Sequence, residues 1–515
     1  MTTSLIEVER KYDIPADLEV PDLSGLPGVD RVDSESFALH ATYFDTRELA
    51  LRAAGITLRL RTGGSDAGWH LKLPHGADRE ELHLPAGRLA GERPSEVPAE
   101  LQALVRSRTR RGALLPVAEL RTTRGVHRLV DSEGQVLAEV ADDLVQGQPL
   151  LDEAPGMGWR EWELELGAGP GTLLDAAQDR LLAAGASAAS STSKVGRVLA
   201  AVSAGPASSG WWARRAVSSS KVTAGGVLQA HLAEQVEELL ARDPQVRRDQ
   251  PDALHKMRVA TRRLRSALRS FRPLLDRDVA DPLRNELAWL AGVLGEVRDT
   301  EVMHARLREL VAEQEPEMVV GPVGTRIDQV LGDRYRAAHD RVLIELEGER
   351  YLGLLDGLDA LVNDPPLVGA ARKKASAVLP GLVRHADKRL AHAMTAAGHA
   401  RGEEQDLLLH EARKDAKRAR YAAEAVAGYA GKPAATYAKA ITRLQEVLGE
   451  HQDGVVTREV LRELADTADR SGESSFTYGR LHGLEQARAD AAAARWPQVH
   501  AQAADRQLRR WIRRH

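Results

Sequence analysis

The feature that most constrains the fold of this chain is an internal repeat in its C-terminal part. The segment LHKMRVATRRLRSAL, which begins at Leu254, resembles LHEARKDAKRARYAA, which begins at Leu409. Farther along, VLGEVRDTEV at Val293 resembles VLGEHQDGVV at Val447. The two pairs are offset by 155 and 154 residues, and a shared offset across separate blocks indicates a duplicated structural unit. We therefore predict two similar helical halves, at about 222–365 and 366–515.

Each half contains a helix-length segment with a row of basic side chains at spacings of three and four residues, which places the row on one helix face. The first row comprises His255, Arg258, Arg262, Arg265, Arg269 and Arg272. The second row comprises His410, Arg413, Lys417 and Arg420. Apolar residues occupy the opposite faces, which predicts that those faces pack inward. Because like charges at this spacing repel one another, the rows predict an anionic ligand.

Three interpretations of these rows are open: a solvated surface, a nucleic-acid interface, or a site for another polyanion. Solvated basic faces are common, but two helices with the same order of residues favour a ligand. A protein that binds single-stranded nucleic acid usually has aromatic residues among the basic ones, on which the bases stack. The only aromatic residues in the two segments are Phe271 and Tyr421. This favours a polyanion without bases. Asp299 and Asp453, from the second repeated block, either hydrogen-bond the basic side chains or are ordinary turn residues.

The repeat, the two basic rows and the paired LGE blocks resemble the CHAD domain, the conserved-histidine α-helical domain. The resemblance covers about 222–515 and implies two pseudo-symmetric helical bundles with a basic channel that binds inorganic polyphosphate. The second segment has Glu411 where the first has Lys256, so the halves need not contribute equally. The ligand-facing residues that the resemblance implies are His255, Arg258, Arg262, Arg263, Arg265, His410, Arg413, Lys414, Lys417, Arg418 and Arg420.

The first 200 residues alternate in a different way, with charged and apolar residues taking turns in short runs. In EVERK, Glu7, Glu9 and Lys11 share one strand face, and ITLRLR places Arg59 and Arg61 together. EWELEL has three glutamates on one face and Trp162, Leu164 and Leu166 on the other. If the apolar faces pack outward, charged side chains from several strands share the inside of a closed sheet. An open sheet with one solvated face is the alternative.

The order of these runs resembles the CYTH family, the triphosphate tunnel metalloenzymes, over about residues 4–200. The resemblance implies an eight-stranded antiparallel tunnel with flanking helices, in which carboxylates hold Mg²⁺ or Mn²⁺ and basic side chains hold a triphosphate. The implied metal ligands are Glu7, Glu9, Glu139, Asp142, Glu163 and Glu165. The implied catalytic residues are Glu7, Glu9, Lys11, Glu163 and Glu165. The implied triphosphate-binding residues are Lys11, Arg59, Arg61, Lys72, Arg124 and Lys194. Alternation leaves the choice of Arg124 over Arg121 and Arg128 open.

The chain is therefore predicted to be an α+β protein with a tunnel domain at 1–203, a Gly/Ser-rich linker at 204–221 and an all-α domain at 222–515. It contains no cysteine, which excludes disulfides and thiolate catalysis. It also has no run of about 18 apolar residues, so we expect a cytoplasmic protein that spans no membrane. The resemblance to CHAD domains adds an association with polyphosphate granules to this expectation.

Together these patterns predict metal-dependent hydrolysis of a linear triphosphate, with inorganic tripolyphosphate as the expected substrate and polyphosphate as the partner of the helical domain. No specific nucleic acid is expected as a partner. Two alternatives stay open. One is a non-catalytic polyphosphate-binding or targeting protein, and the other is a tunnel enzyme for an organic triphosphate, either a thiamine triphosphatase or an adenylate cyclase.

Overall fold

A computed structural model of the chain describes residues 3–64, 66–76, 78–85, 96–151, 154–191, 193–200 and 222–513. The chain divides into two compact units, Met1–Ala213 and Arg214–His515. The predicted linker, 204–221, lies outside the described residues. Across the described ranges, no helix is both long enough and apolar enough to span a membrane.

The N-terminal unit is built on one antiparallel sheet. Its strands are β1 (Thr3–Glu7), β2 (Glu9–Asp13), β3 (Arg31–Asp45), β4 (Thr57–Thr62), β5 (Gly68–His75), β6 (Asp78–Pro85), β7 (Leu115–Val130), β8 (Val136–Pro149), β9 (Met157–Leu166) and β10 (Ser187–Ala188). Their order across the sheet is β1-β6-β5-β4-β3-β7-β8-β9-β2-β10. Most strands that are neighbours in the sheet are therefore also consecutive in the sequence, as in hairpins. The exceptions are the pairing of β3 with β7 and the pairings of the N-terminal strands β1 and β2, which lie at or near the two edges of the sheet.

The N-terminal segment closes the sheet. β1 pairs with β6 at one edge and β2 pairs with β9 near the other, yet only Val8 lies between β1 and β2. The two edges must therefore meet, which makes the sheet a closed tunnel as predicted. The described residues contain nine strands of five residues or more rather than eight, because Val8 divides the first predicted strand between its two neighbours.

Apolar side chains cover the outside of the tunnel. The helices α1 (Ala50–Ala53), α2 (Ala99–Thr109), α3 (Gly171–Ala184) and α4 (Lys194–Leu199) flank the sheet. Leu173 and Leu181 of α3 are buried in one cluster with Trp162 and Leu164 of β9. The glutamates of β9 alternate with these apolar residues. Because the apolar face of the strand packs against the helices outside the tunnel, the face with the glutamates points into the lumen. This observation selects the closed tunnel over the open sheet.

The C-terminal unit is helical throughout its described residues. Its helices are α5 (Ala224–Arg247), α6 (Ala253–Ser270), α7 (Arg277–Ala312), α8 (Val323–Glu347), α9 (Glu349–Asn363), α10 (Ala375–His399), α11 (Gly402–Ala430), α12 (Lys432–Arg470), α13 (Phe476–Ala503) and α14 (Arg510–Arg513). Four successive long helices, α5 to α8, recur as α10 to α13, which is the duplication that the sequence repeat predicts. The basic helices α6 and α11 occupy equivalent places and pack against each other.

Candidate functional site

The lumen of the tunnel contains a cavity of about 270 Å³ whose wall is mainly charged. All six basic residues predicted to bind a triphosphate line it: Lys11, Arg59, Arg61, Lys72, Arg124 and Lys194. Five lie on strands and project inward by alternation, whereas Lys194 is the first residue of α4, whose N-cap is Ser193. Arg121 is exposed and lies on the opposite face of β7. Arg128 shares the face of Arg124 but contacts Glu35 and Glu139 and is not among the residues that line the cavity, so Arg124 is the one of the three that lines it.

The pairing register places carboxylates beside one another on three adjacent strands. Glu165 of β9 lies opposite Glu9 of β2 on one side and opposite Glu139 of β8 on the other. In the next inward-facing row, Glu163 lies opposite Lys11. Directly opposed residues in an antiparallel pair have Cβ atoms about 5 Å apart, and like charges there destabilise the sheet. The first row is therefore an unfavourable arrangement unless a cation or a proton joins it.

Glu163 is the centre of the charge network. Its carboxylate contacts Lys11, accepts from the Lys194 ammonium at 2.6 Å and accepts from the Arg124 guanidinium at 2.7 Å. Burial alone would raise the pKa of Glu163, but these three cations hold it well below its ordinary value. Burial also opposes charge on Lys11, and Glu163 and Glu9 outweigh it and raise the pKa of Lys11. These groups are therefore held in their charged forms.

Asp142 is not brought to this cavity, which corrects the predicted metal set. It lies on the outward face of β8, where Arg160 binds both of its oxygens at 2.9 and 2.6 Å. The neighbouring Asp143 faces inward instead, is fully buried, and accepts both a bidentate pair from Arg124 and a contact of 2.9 Å from Lys194. Strand alternation could have predicted the inward position of Asp143. Residues 139 and 143 lie on the same face of a strand, whereas Asp142 lies on the opposite face from Glu139.

Glu165 differs from its neighbours because no hydrogen bond or ion pair to it occurs within the described part of the chain. Burial raises its pKa, and Glu139, Glu9 and Glu163 raise it further against the influence of Lys72. A divalent cation bound by oxygen ligands would relieve this repulsion. The donor set of Glu9, Glu139, Glu163 and Glu165 therefore fits Mg²⁺ or Mn²⁺ chemically.

As arranged, however, the described residues contain no group of three or more His, Cys, Asp or Glu side chains in metal-binding geometry. Cations of the protein now engage several of these carboxylates: Glu9 accepts from Lys11 at 2.9 Å and Glu139 accepts from Arg128 at 3.2 Å. Metal binding would therefore require side chains to exchange partners. The side chain of Glu7 lies outside the described residues.

Sequence reasoning missed several further residues that line the cavity, among them Glu81 and Tyr43. Glu81 of β6 accepts from His70 at 2.9 Å and lies 3.5 Å from the Arg59 guanidinium and 3.8 Å from the Lys72 ammonium. Tyr43 of β3 accepts a hydrogen bond of 3.3 Å from Arg59. In ELHL, the strand that contains Glu81, alternation places this acid on the lumen face, so a signal was present. These contacts fix the basic side chains at one wall of the lumen.

The C-terminal unit contains a second cavity, of about 900 Å³, formed by α6, α7 and α11. Its basic lining residues are Arg258, Arg262, Arg265, Arg269, Arg272, Arg284, His410, Arg413, Lys414, Lys417 and Arg418. None of the described residues that line it is acidic. Eight of the predicted ligand-facing residues are thus brought together, and a polyanion is the chemical class that such a wall attracts.

The two aspartates of the repeated blocks hold equivalent arginines in place. Arg258 donates to Asp299 at 3.1 Å, and Arg413 donates to Asp453 at 3.3 Å. The glycine of each LGE block lies against the same guanidinium: a Cβ on Gly295 would stand 3.6 Å from Arg258, and a Cβ on Gly449 would stand 3.0 Å from Arg413. The LGE block therefore recurs in both halves because its glycine and aspartate hold one arginine of the basic row in position.

Three of the predicted polyphosphate ligands do not line the cavity, which corrects the predicted set. Arg263 and Arg420 approach Glu424 at 3.3 and 3.5 Å, and Arg420 also lies over the ring of Tyr421. Arg263 is one residue off the row, so helical geometry turns it away from the ligand-facing side. His255 is half-buried outside the lining set, where burial and then Arg298 lower its pKa. His410 lines the cavity and contacts Gln452 at 3.0 Å.

Lys417 lies among guanidinium groups at the middle of the cavity wall. Burial and then the charges of Arg262, Arg413 and Arg258 lower its pKa to about 7, against a smaller opposing effect of Asp453. Arg284 also lines the cavity and was not predicted, because it belongs to α7 and is brought there by helix packing. This cavity is thus a concentrated positive surface that an anion would stabilise.

Comparisons with known proteins agree with this division of the chain. The CYTH domain model matches residues 5–198, and the CHAD domain model matches residues 230–462. Uncharacterized proteins of two Mycobacterium tuberculosis strains are 39% identical over 495 residues, which is 93% of this chain and 93% of each relative.

Among solved structures, PptA from Streptomyces chartreusis is 23% identical with a TM-score of 0.47, covering 54% of this chain and 100% of that one. The CHAD domain from the plant Ricinus communis is 26% identical with a TM-score of 0.46, covering 56% of this chain and 94% of that one. The identity of 39% over 93% of both chains shows that this chain belongs to the same family as the mycobacterial proteins, and the two domain models show that it contains a CYTH domain followed by a CHAD domain.

Proposed function

We propose that the N-terminal tunnel hydrolyses a linear triphosphate, inorganic tripolyphosphate, with Mg²⁺ or Mn²⁺, and that the C-terminal unit binds inorganic polyphosphate. The observation that carries the proposal is the lumen itself. Six basic side chains and a row of carboxylates line one cavity of about 270 Å³. Phosphate oxygens match the first group, and a divalent cation that bridges phosphate oxygens matches the second.

The size and polarity of the lumen favour an inorganic substrate over an organic one. At about 270 Å³ this cavity lies just under the range of about 300–1,000 Å³ that pockets for drug-sized ligands usually enclose, and its wall is mainly charged, whereas those pockets are mostly apolar. Tyr43 is the one aromatic side chain among its described lining residues, and Arg59 engages its hydroxyl. A base or a thiamine ring would therefore find little surface for stacking within the lumen.

The chain's own residues supply three elements of the proposed hydrolysis. Arg59, Lys72, Arg124 and Lys194 bind and orient the phosphate oxygens, and they offset the charge that develops on the leaving group. Asp143 and Glu81 hold these cations in place. Enclosure by the sheet limits water at the reacting phosphorus. A divalent ion held by Glu9, Glu163 and Glu165 would add Lewis-acid stabilisation of the phosphoryl oxygens when bound.

The second cavity supports the polyphosphate part of the proposal. Polyphosphate carries about one negative charge per phosphate and presents no base to read, which suits guanidinium donors without aromatic partners. The wall formed by α6 extends from Arg258 to Arg269, which is about 16 Å along a helix at 1.5 Å per residue. A linear chain of several phosphates can therefore run along it.

The proposal is tested by the release of phosphate from tripolyphosphate, ATP and thiamine triphosphate, and for ATP also by the release of pyrophosphate, each measured with Mg²⁺, with Mn²⁺ and with a chelator. We expect tripolyphosphate to be hydrolysed fastest, and only with a metal ion. Faster turnover of ATP or thiamine triphosphate would replace the inorganic substrate with an organic one. No turnover of any of the three would leave a protein that only binds polyphosphate.

A further inference from the structure

Lys417 stands apart from the other lysine of the polyphosphate cavity. Lys414 lines the same wall, but its ammonium donates to Glu411 at 2.6 Å. Lys417 makes no hydrogen bond or ion pair with any residue that the structure describes, and it is only half-buried, so the cavity can reach it. Two lysines of one helix therefore face the same space in opposite states, one held by a carboxylate and one without such a partner.

The groups that face Lys417 come from three helices, and almost all are positive. Arg258 and Arg262 lie on α6, Arg413 lies on α11 itself, and Asp453 on α12 is the acidic group that acts on it. Asp453 is already engaged by Arg413 at 3.3 Å. Burial together with these guanidinium groups lowers the pKa of Lys417 to about 7. A lysine in such surroundings is a nucleophile at neutral pH, because much of its amine is unprotonated.

We propose that Lys417 is an acylation site for small acyl phosphates, which are anions that carry an electrophilic carbonyl. The cavity of about 900 Å³ admits a molecule of this size. The guanidinium groups around Lys417 attract its phosphate and hold it as the leaving group. The same wall thus supplies both recruitment of the anion and the amine that attacks it.

The reaction balances without a redox partner. The unprotonated Nζ attacks the carbonyl carbon and forms a carbon–nitrogen bond, and the bond from that carbon to the phosphate oxygen breaks. The phosphate leaves with the bonding electrons and takes the proton that the amine loses, departing as hydrogen phosphate. Lys417 becomes a neutral amide, so it can no longer take up a proton and become a positively charged ammonium.

This loss has a consequence that rests on the proposed function. If the cavity binds polyphosphate, acylation of Lys417 weakens that binding, because the amide can no longer become an ammonium against the chain. The acylation itself requires only that the cavity attract a phosphate-bearing anion. The two claims therefore have separate readouts.

The first test treats the full chain with acetyl phosphate at neutral pH and follows acetylation of each lysine by peptide mass spectrometry. We expect Lys417 to be acetylated about tenfold faster than Lys414, since an ordinary lysine is almost wholly protonated there. Inorganic tripolyphosphate should slow the reaction at Lys417. Equal rates at the two lysines, or no protection by tripolyphosphate, would overturn the proposal.

An uncharged acetylating reagent provides the matched chemical control. The preference for Lys417 over Lys414 should shrink with this reagent, because the guanidinium groups no longer recruit it. A preference of the same size with both reagents would contradict the role given to the cavity.

The second test compares the wild type with Lys417→Arg after the same acetyl phosphate treatment. Retention on a polyphosphate column is compared for each protein before and after treatment. We expect treatment to lower the retention of the wild type, and to change that of Lys417→Arg much less relative to its own untreated form, since arginine lacks the reactive amine. Equal losses in the two proteins would assign the effect to other lysines and contradict the proposal. If the untreated wild type is not retained, polyphosphate binding fails, and mass spectrometry alone decides the acylation.

Discussion

At the residue scale, the tunnel depends on charges that stabilise one another away from water. Glu163 accepts from Lys194 and Arg124, and Asp143 accepts from the same two cations. A buried charge that loses its partner is costly, because desolvation is no longer offset. Each carboxylate therefore both prepares the lumen for a cation and holds the basic side chains for phosphate.

The first prediction concerns Glu163, with Asp142 as its control. Glu163→Gln should lower metal-dependent hydrolysis of tripolyphosphate by about 100-fold or more, because it removes a charge at the reacting centre. Asp142→Asn changes an acid on the outer face of a neighbouring strand, paired with Arg160, and should leave the rate near that of the wild type. Steady-state kinetics with circular dichroism as a folding check measures both. Equal losses in the two variants would refute the assignment of faces.

The second prediction concerns protons at Lys417. Its pKa of about 7 in the free protein should rise when a polyanion binds, because the anion favours the ammonium form. Binding should therefore take up as much as about one proton at pH values just above 7, and affinity should fall as pH rises through that range. Calorimetry in buffers of different ionisation enthalpy measures the uptake. Lys417→Arg should show much less of it, and the same uptake in that variant would contradict the prediction.

Strand alternation predicted part of the lumen and also shows where the sequence-based reasoning went wrong. Alternation placed Lys11, Arg59 and Arg61 on shared strand faces. The resemblance supplied Lys72, Arg124 and Lys194, and alternation left Arg124 open against Arg121 and Arg128. Asp142 came from the resemblance, and strand parity places it on the outer face of β8, whereas parity places Asp143 on the inner face. Glu81 was missed because no cross-strand register was known, and only that register places it opposite Lys72.

At the element scale, the two basic helices depend on the long helices that follow them. Each of α7 and α12 presents a glycine and, four residues later, an aspartate to an arginine of the basic row. The pair at Gly449 is the tighter one, since a Cβ there would stand 3.0 Å from Arg413, compared with 3.6 Å from Arg258 at Gly295. The duplicated halves are therefore not equally tolerant of change.

The third prediction compares Gly449→Ala with Gly295→Ala. Alanine in a helix interior stabilises by about 0.5–1 kcal/mol relative to glycine. Gly295→Ala should gain this stability and keep its affinity for polyphosphate, because the new methyl group makes an ordinary contact. Gly449→Ala should displace Arg413 and weaken binding. Thermal unfolding and polyphosphate titration measure the two effects, and a larger loss of affinity in Gly295→Ala would reverse the argument.

Packing between elements explains what the sequence could not predict about the second cavity. Arg284 belongs to α7, outside both repeated segments, and only the packing of α7 beside α6 brings it to the wall. Glu424 follows Arg420 by four residues, so their pairing was visible in the sequence. The approach of Arg263 to the same glutamate was not, because it joins α6 to α11.

At the scale of the whole molecule, two units with separate cores carry separate charged cavities. The tunnel is lined by both acidic and basic side chains, whereas all the charged side chains among the described lining residues of the helical cavity are basic. The first arrangement suits a short substrate with a metal ion, and the second suits a longer chain without one. Each site is complete within its own unit.

The fourth prediction follows from that separation. Changing Arg262 and Lys417 together to alanine should weaken retention on polyphosphate and flatten its dependence on salt, because fewer counterions are displaced on binding. Hydrolysis of tripolyphosphate should continue at the wild-type rate. Column retention across a salt series and phosphate release measure the two properties. Unchanged retention would contradict the assignment of the polyphosphate site. A large decrease in the rate of hydrolysis would show that the two units do not act separately.

The most direct test of the account is a crystal structure of the chain with Mn²⁺ and a non-hydrolysable triphosphate, with the anomalous signal of manganese locating the ion. We predict manganese in the lumen beside Glu9, Glu163 and Glu165, with phosphate oxygens on Arg59, Arg124 and Lys194. Manganese and triphosphate bound only on the outer surface, with the lumen ion pairs unchanged, would contradict it.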